Sequence, residues 1–313
     1  MNAIGGFFEL ELRKGKQYHG KSLKFNTGRN CLEYIIINRK YKKIYIPYYT
    51  CEVILEPIQK LGVLYEFYSI DEHLNPIFNK ILLENEAFLY TNYFGLKNDT
   101  IKYLSKIFGK QLIVDNAQAF FSDPVKDIDT FYSARKFFGV ADGAYLKTSF
   151  RSNKKHPQNF TYGKMAHLLK RLDCSEEDAY EDFKKNEDEL NNNPIMKMSK
   201  LTEAILSSID YEKIKDIRRS NYLFYEKHLA LKNTISLPLS EEVPLVYPFR
   251  TDKEGLRELL IENKIYVATY WPNVFNWCNK KELEYSLAKE IIPLPVDQRY
   301  NQHSLLKIIR MLQ

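Results

Sequence analysis

Between residues 42 and 118 the chain alternates short apolar runs with helix-patterned ones, and this alternation restricts the fold more than any other feature. KKIYIPYY, VLYEFYSID, AFLYTNYFG and QLIVDNA read as strands, with CEVILEPIQKLG and DTIKYLSKIFG as helices between them. The strands are apolar almost throughout and rich in β-branched and aromatic residues, as strands covered on both faces should be. The expected fold class is therefore α/β, with a mostly parallel sheet flanked by helices. Pro57 inside CEVILEPIQKLG predicts a kinked or two-part helix.

Upstream, FNTGRNCLEYIII pairs a Thr-Gly turn with Leu32, Ile35 and Ile36 at helical spacing, so a helix should begin near Gly28. GGFFELEL, nearer the start, reads as a short strand or as an arm lying on a neighbour. After residue 150 the pattern changes. A basic loop and a charged helix lead to the Asn191 to Asn193 run and Pro194. MSKLTEAILSSIDYEKIKDIRRSNYLFYEKHLA then reads as one long helix or two in tandem. LVYPFRT, LRELLIENK, IYVATYW and a final helix follow as a small α+β unit. We expect a large domain with its N-terminal arm over residues 1–195 and a small C-terminal domain over 196–313.

With 313 residues, 44% of them hydrophobic, the chain can bury a sizeable core. No apolar run approaches the roughly 18 residues of a membrane span, and acidic residues interrupt the opening where a leader needs its hydrophobic stretch. A soluble, cytoplasmic protein is expected. Cys31, Cys51, Cys174 and Cys278 lie far apart and read as reduced thiols. The net charge of +6 is a small surplus of 46 basic over 40 acidic residues, which argues against a general nucleic-acid surface. The six histidines show no metal spacing.

Two residues carry the chemistry. Asp115 closes the strand QLIVD, and ligands of open α/β sheets bind at the carboxyl ends of strands, although a turn or helix-cap aspartate fits the same position. Lys136 stands among Phe131, Tyr132, Phe137 and Phe138. Such a lysine either snorkels at the surface or has a desolvated amine that deprotonates easily. A carboxylate and a lysine together are what pyridoxal 5'-phosphate (PLP) requires: an acid to keep the pyridine nitrogen protonated and an amine to hold the aldehyde and then shuttle a proton. Gly28, Arg29 and Asn30 open a helix, where free N–H groups favour a phosphate. Ser133 is a candidate hydroxyl for the same phosphate. Neither a dinucleotide fingerprint nor a P-loop is present. Tyr270 and Trp271 could frame a substrate from the small domain, although packing alone would account for Trp271.

As a set, NTGRNCLEY, IPYYTCEVI, LIVDNAQAF and YSARKFFGVADGAYL resemble the DegT/StrS family of PLP-dependent sugar aminotransferases, of fold type I. Gly28, the Pro47 to Thr50 segment, Asp115 to Gln118, and Lys136 with Gly143 fall where that family has its motifs. The resemblance covers most of residues 20–150. It implies that Lys136 binds the cofactor's aldehyde, Asp115 its ring nitrogen, and Gln118 lies near its ring hydroxyl, while Gly28, Arg29 and Asn30 cradle its phosphate. It also implies a homodimer moving an amino group, typically from glutamate, to a nucleotide-linked keto sugar in polysaccharide or glycoside biosynthesis.

The chain departs from the family at three places. Cys51 replaces the aromatic expected to stack on the cofactor, which leaves Tyr49 or Tyr48 as the substitute or else no stacking ring at all. Phe131 stands where a phosphate-binding serine is usual, and Ile195, Met196 and Lys197 stand where an Asn-Tyr-Arg segment reaches the partner's site. These departures leave a second reading: a catalytically degraded member that binds a sugar nucleotide or serves assembly. Against it, a degraded site has no reason to keep Asp115, Gln118 and Lys136 together.

Overall fold

The computed structural model describes residues 4–237 and 239–312. Residues 1–3 of the arm lie outside the described residues. The first half of the chain runs β1 (Leu23–Phe25), α1 (Gly28–Arg39), β2 (Lys43–Pro47), α2 (Leu55–Lys60), β3 (Leu64–Ile70), β4 (Pro76–Ile77), β5 (Glu86–Thr91), α3 (Asn98–Phe108), β6 (Leu112–Asn116), β7 (Asp129–Ser133) and β8 (Ala144–Lys147). The strands form one eight-stranded sheet in the order β1-β8-β7-β6-β5-β2-β3-β4. From β7 to β3 every neighbouring pair is parallel, whereas β8 is antiparallel to both β7 and β1, and β4 is antiparallel to β3. Pro57 is accommodated as expected: a 3-10 turn over Glu52–Ile54 precedes α2, and Pro57 lies within the first turn of α2, where no intrahelical N–H is lost.

Side chains alternate between two cores with the period of two that strands impose. Ile44, Ile46, Ala87, Leu89, Ile113 and Phe131 face one way, against Cys31, Leu32, Ile35 and Ile36 of α1. Tyr45, Phe88, Tyr90, Leu112, Val114 and Tyr132 face the other way, into a core rich in aromatics that continues into the C-terminal half. This parity determines which face each site residue presents.

The second half contains α4 (Ala166–Asp173), α5 (Glu176–Asp188), α6 (Lys200–Ser208), α7 (Tyr211–Leu229), β9 (Val246–Arg250), α8 (Leu256–Glu262), α9 (Val274–Trp277), α10 (Leu283–Glu290), β10 (Ile291–Pro295) and α11 (Gln302–Leu312). The long helical segment is two helices, because the extended Ile209 breaks it and Asp210 caps α7 by accepting from the Lys213 amide. Residues near the expected domain boundary lean on the large sheet: Lys197 bridges to Phe25, and Thr202 of α6 is fully buried.

Two expectations are corrected. IYVATYW is irregular, since β9 takes β10 as its partner and, among the described residues, that small sheet has only these two strands. Of the two readings of GGFFELEL, the short strand is the one corrected: the segment is irregular, and Phe7 and Phe8 are almost wholly exposed.

Candidate active site

The parallel strands end along one edge of the sheet, and the turns there gather the site. After β1 the chain passes Asn26 to Thr27, which caps α1 with extended backbone (φ −141°, ψ 161°) and accepts the Asn30 amide on its hydroxyl at 3.2 Å. The first turn of α1 carries no acidic residue, so nothing from the helix itself offsets its positive end. Gly28 lies close to β7: a Cβ there would touch the Phe131 ring at 3.5 Å.

Asp115 has the parity of Ile113 and is paired in register with Phe131, so its carboxylate is on the α1 face of the sheet. Its Oδ1 accepts the Ala117 amide at 2.8 Å. Burial pushes the carboxyl up to about 6, against partial relief from that amide and from Lys136. Ser133 has the parity of Phe131 and shares this face; its hydroxyl makes no hydrogen bond among the described residues.

Lys136 ends a 3-10 turn over Ala134–Lys136 that leaves β7. Its side chain is open to solvent yet enclosed by protein, which describes the floor of a cleft. It makes no hydrogen bond or ion pair among the described residues. Burial, and next the neighbouring Arg135, hold its amine below the ordinary lysine range, with Cys51 and Asp115 opposing. Arg135 itself is committed to an ion pair with Glu187 of α5.

A hydrogen-bonded staple joins the two halves of this site. The Gly143 amide donates to the Asn26 carbonyl at 2.7 Å, and the Gly143 carbonyl accepts from the Ala134 amide at 3.0 Å. One residue thus ties the start of the lysine turn to the residue before the α1 cap. Gly143 has φ +117°, and a Cβ there would lie 2.9 Å from Thr202 Cγ2, so glycine is required. Beside it, Asp142 is fully buried and accepts from Asn159, from both the amide and hydroxyl of Ser199, and from Thr202. The spacing of Gly143 from Lys136 marks the residue but not the staple it forms, and nothing in the one-dimensional pattern marks the Asp142 cluster.

Gln118 follows Asp115 by three residues, and its Oε1 accepts the Phe94 amide at 2.9 Å. With the oxygen so engaged, the Nε2 donor is the end left for a ligand. Tyr270 reaches the same place from the C-terminal half, its ring 6.2 Å from that of Phe94.

No family model matches the chain, and no curated protein matches it in sequence. Solved structures do match. DesV of S. venezuelae, in complex with a ketimine intermediate, aligns over 93% of this chain and 83% of its own, with a TM-score of 0.64 at 16% identity. A DegT/DnrJ/EryC1/StrS aminotransferase from Brucella abortus gives 0.62 over 93% and 84% at 14% identity. The ntda protein of Bacillus subtilis, with bound cofactor PMP, gives 0.65 over 93% and 72% at 13%. The fold is that of the DegT-type aminotransferases.

Several residues expected to serve a DegT-type site are engaged elsewhere. Tyr49 is fully buried, packed on Tyr93 and Trp271 at 5.5 and 5.1 Å, so its ring cannot stack on anything entering the cleft. Tyr48 stacks on Phe67 at 4.6 Å. Arg29 pairs with Glu56 at 2.5 Å and bonds Asn191 at 2.7 Å, and the Asn30 amide group bonds Thr27, Glu33 and Asn193. What Gly28 and Arg29 offer a phosphate is their backbone N–H, since the first amides of a helix lack intrahelical acceptors. Ile195 is buried and the Met196 backbone is bonded to Asn26, so this segment is tied into its own chain.

Proposed function

We propose that the protein is a PLP-dependent aminotransferase that moves an amino group from an amino acid, with glutamate the expected donor, to a keto sugar. The observation that carries this reading is the unpaired Lys136 amine in an enclosed but accessible cleft, with the buried Asp115 carboxylate and the open end of α1 on the same edge of the sheet.

These residues suit the cofactor. The acid is buried where a charged partner would be favoured, the amine is free, and the helix end has no acid of its own to repel a phosphate. Bound PLP supplies an electron sink for the charge left when an amino acid loses its α-proton. Asp115 would hold the proton on the ring nitrogen. Its carboxyl, at about 6, is largely ionised at neutral pH and able to accept that role. Lys136 would bind the aldehyde carbon and, once displaced, carry the proton between carbons; its lowered affinity for protons keeps a neutral, nucleophilic fraction available. The amides of Gly28 and Arg29 and the Ser133 hydroxyl would hold the phosphate, and Gln118 Nε2 would donate to the ring hydroxyl.

Nucleotide linkage of the sugar, a place in polysaccharide or glycoside biosynthesis, a cytoplasmic site of action and a homodimer belong to the same proposal, which the fold likeness to the DegT/DnrJ/EryC1/StrS aminotransferase supports. No helix among the described residues is long and apolar enough to cross a membrane.

The test is spectral. Purified protein given PLP should develop a lysine-linked absorbance band that glutamate discharges with release of 2-oxoglutarate, and Lys136→Ala should abolish both. The second reading, a binding protein with a degraded site, is favoured by the withdrawal of Tyr49, the thiol at Cys51 and the segment 195–197 tied into its own chain. It predicts uptake of a sugar nucleotide with no response to glutamate.

A further inference from the structure

The cleft has a wall contributed by the C-terminal half, and three contacts fix it in place. Asn273 Nδ2 donates to the Thr50 carbonyl at 2.9 Å, immediately before Cys51. The Trp271 ring packs edge-on against Tyr49 at 5.1 Å. The Tyr270 ring lies 6.2 Å from Phe94, whose amide grips Gln118. The segment from Tyr270 to Asn273 therefore spans the mouth between the β2 turn, which carries Cys51, and the β5 turn, which carries Phe94.

Tyr270 is suited to meet a ligand there. It is half-buried, and its hydroxyl makes no hydrogen bond among the described residues. Burial, chiefly, holds that hydroxyl up at about 12, with Arg218 opposing and the nearby Cys51 adding, so the phenol stays neutral. Cys51, next to Thr50, is close enough to influence both Lys136 and Tyr270, and it is the small residue at the position where the family resemblance expects a ring.

Resting on the PLP reading above, we infer that Tyr270 supplies the aromatic face for the bound cofactor's ring, in place of a residue on the β2 turn. The stacking partner then belongs to the C-terminal half rather than to the sheet. Occupancy of the site is thereby coupled to the contact between the Tyr270–Asn273 segment and the sheet turns. Aromatic stacking on this scale corresponds to about a tenfold change in affinity.

The experiment measures PLP dissociation constants and the circular dichroism of the bound chromophore, with unfolding midpoints of the cofactor-free variants as the folding control. Tyr270→Phe should bind like the wild type. Tyr270→Leu, which keeps the bulk but not the ring, should bind about tenfold more weakly and lose dichroism. Adding Cys51→Phe to Tyr270→Leu should recover most of the affinity, whereas Cys51→Phe alone should not improve on the wild type. If Tyr270→Leu binds PLP with wild-type affinity and dichroism, this inference is overturned while the cofactor reading stands. If the wild type takes up no PLP, the cofactor reading fails and this inference fails with it.

Discussion

Replacing Asp115 by asparagine should stabilise the cofactor-free protein while disabling it. In the folded chain the carboxyl is pushed from 3.8 to about 6, chiefly by burial. A tenfold change in proton affinity is about 1.4 kcal/mol, so holding this group ionised costs the fold about 3 kcal/mol. The sign follows from proton counts: between pH 3.8 and about 6 the folded state binds more protons than the unfolded one, so stability falls as pH rises through that window. The cost is complete above it. The amide introduced by Asp115→Asn carries no charge, and its oxygen can still accept the Ala117 N–H. The variant should therefore gain about 3 kcal/mol at pH 8 and roughly half of that at pH 5. Urea unfolding of both cofactor-free proteins at the two pH values measures the difference directly. Equal gains at both pH values, or no gain at pH 8, would refute the idea that the buried charge is a strain stored for the cofactor. A gain that vanishes once PLP is added to the wild type would strengthen it, because the ligand then offsets the burial.

Two further substitutions separate scaffold from ligand contact. Arg29→Ala should cost about 1–2 kcal/mol of stability through its ion pair with Glu56, yet change PLP affinity by less than about threefold, because the backbone rather than the guanidinium faces the phosphate; PLP titration beside urea unfolding distinguishes the two effects. Gly143→Ala should destabilise by at least about 2 kcal/mol, from the left-handed φ and the clash with Thr202, and should loosen the Lys136 turn, which hydrogen exchange at the Ala134 amide would detect.

Much of the sheet can be read in advance because β2, β5 and β6 are covered on both faces and so appear as mostly apolar runs, while β3 is marked by its aromatic and β-branched residues. The strands left unread are the ones whose identity depends on partners. β1 is three residues long and forms the sheet's edge only through β8, while β8, four residues long, is held between β1 and β7. β10, IIPLP, contains two prolines, which sequence rules count against a strand, but it pairs with β9 alone and can spare the donors. IYVATYW errs in the opposite direction, having strand composition without an available edge. Tyr266 in that segment turns outward to bond Glu177.

The same distinction runs through the site. Asp115 and Lys136 stand out in the sequence because their chemistry depends on residue type and on strand ends, both visible in one dimension. The orientation of Tyr49 is not visible there, because it depends on where β2 stops: the strand ends at Pro47, and after that the alternation of faces no longer applies. Proximity alone points the Arg29 side chain at the phosphate, but its partners Glu56 and Asn191 lie 27 and 162 residues away and appear only on folding. Gly143 shows how far such dependence reaches. Its place seven residues after Lys136 can be read as a family spacing, but the reason for it lies in three segments at once. Only a residue without a side chain can bond Asn26 and Ala134 while Thr202 presses within 2.9 Å of its absent Cβ. The lysine turn, the first turn of α1 and the packing of α6 are thus held by one backbone position, and a side chain added there should disturb all three together.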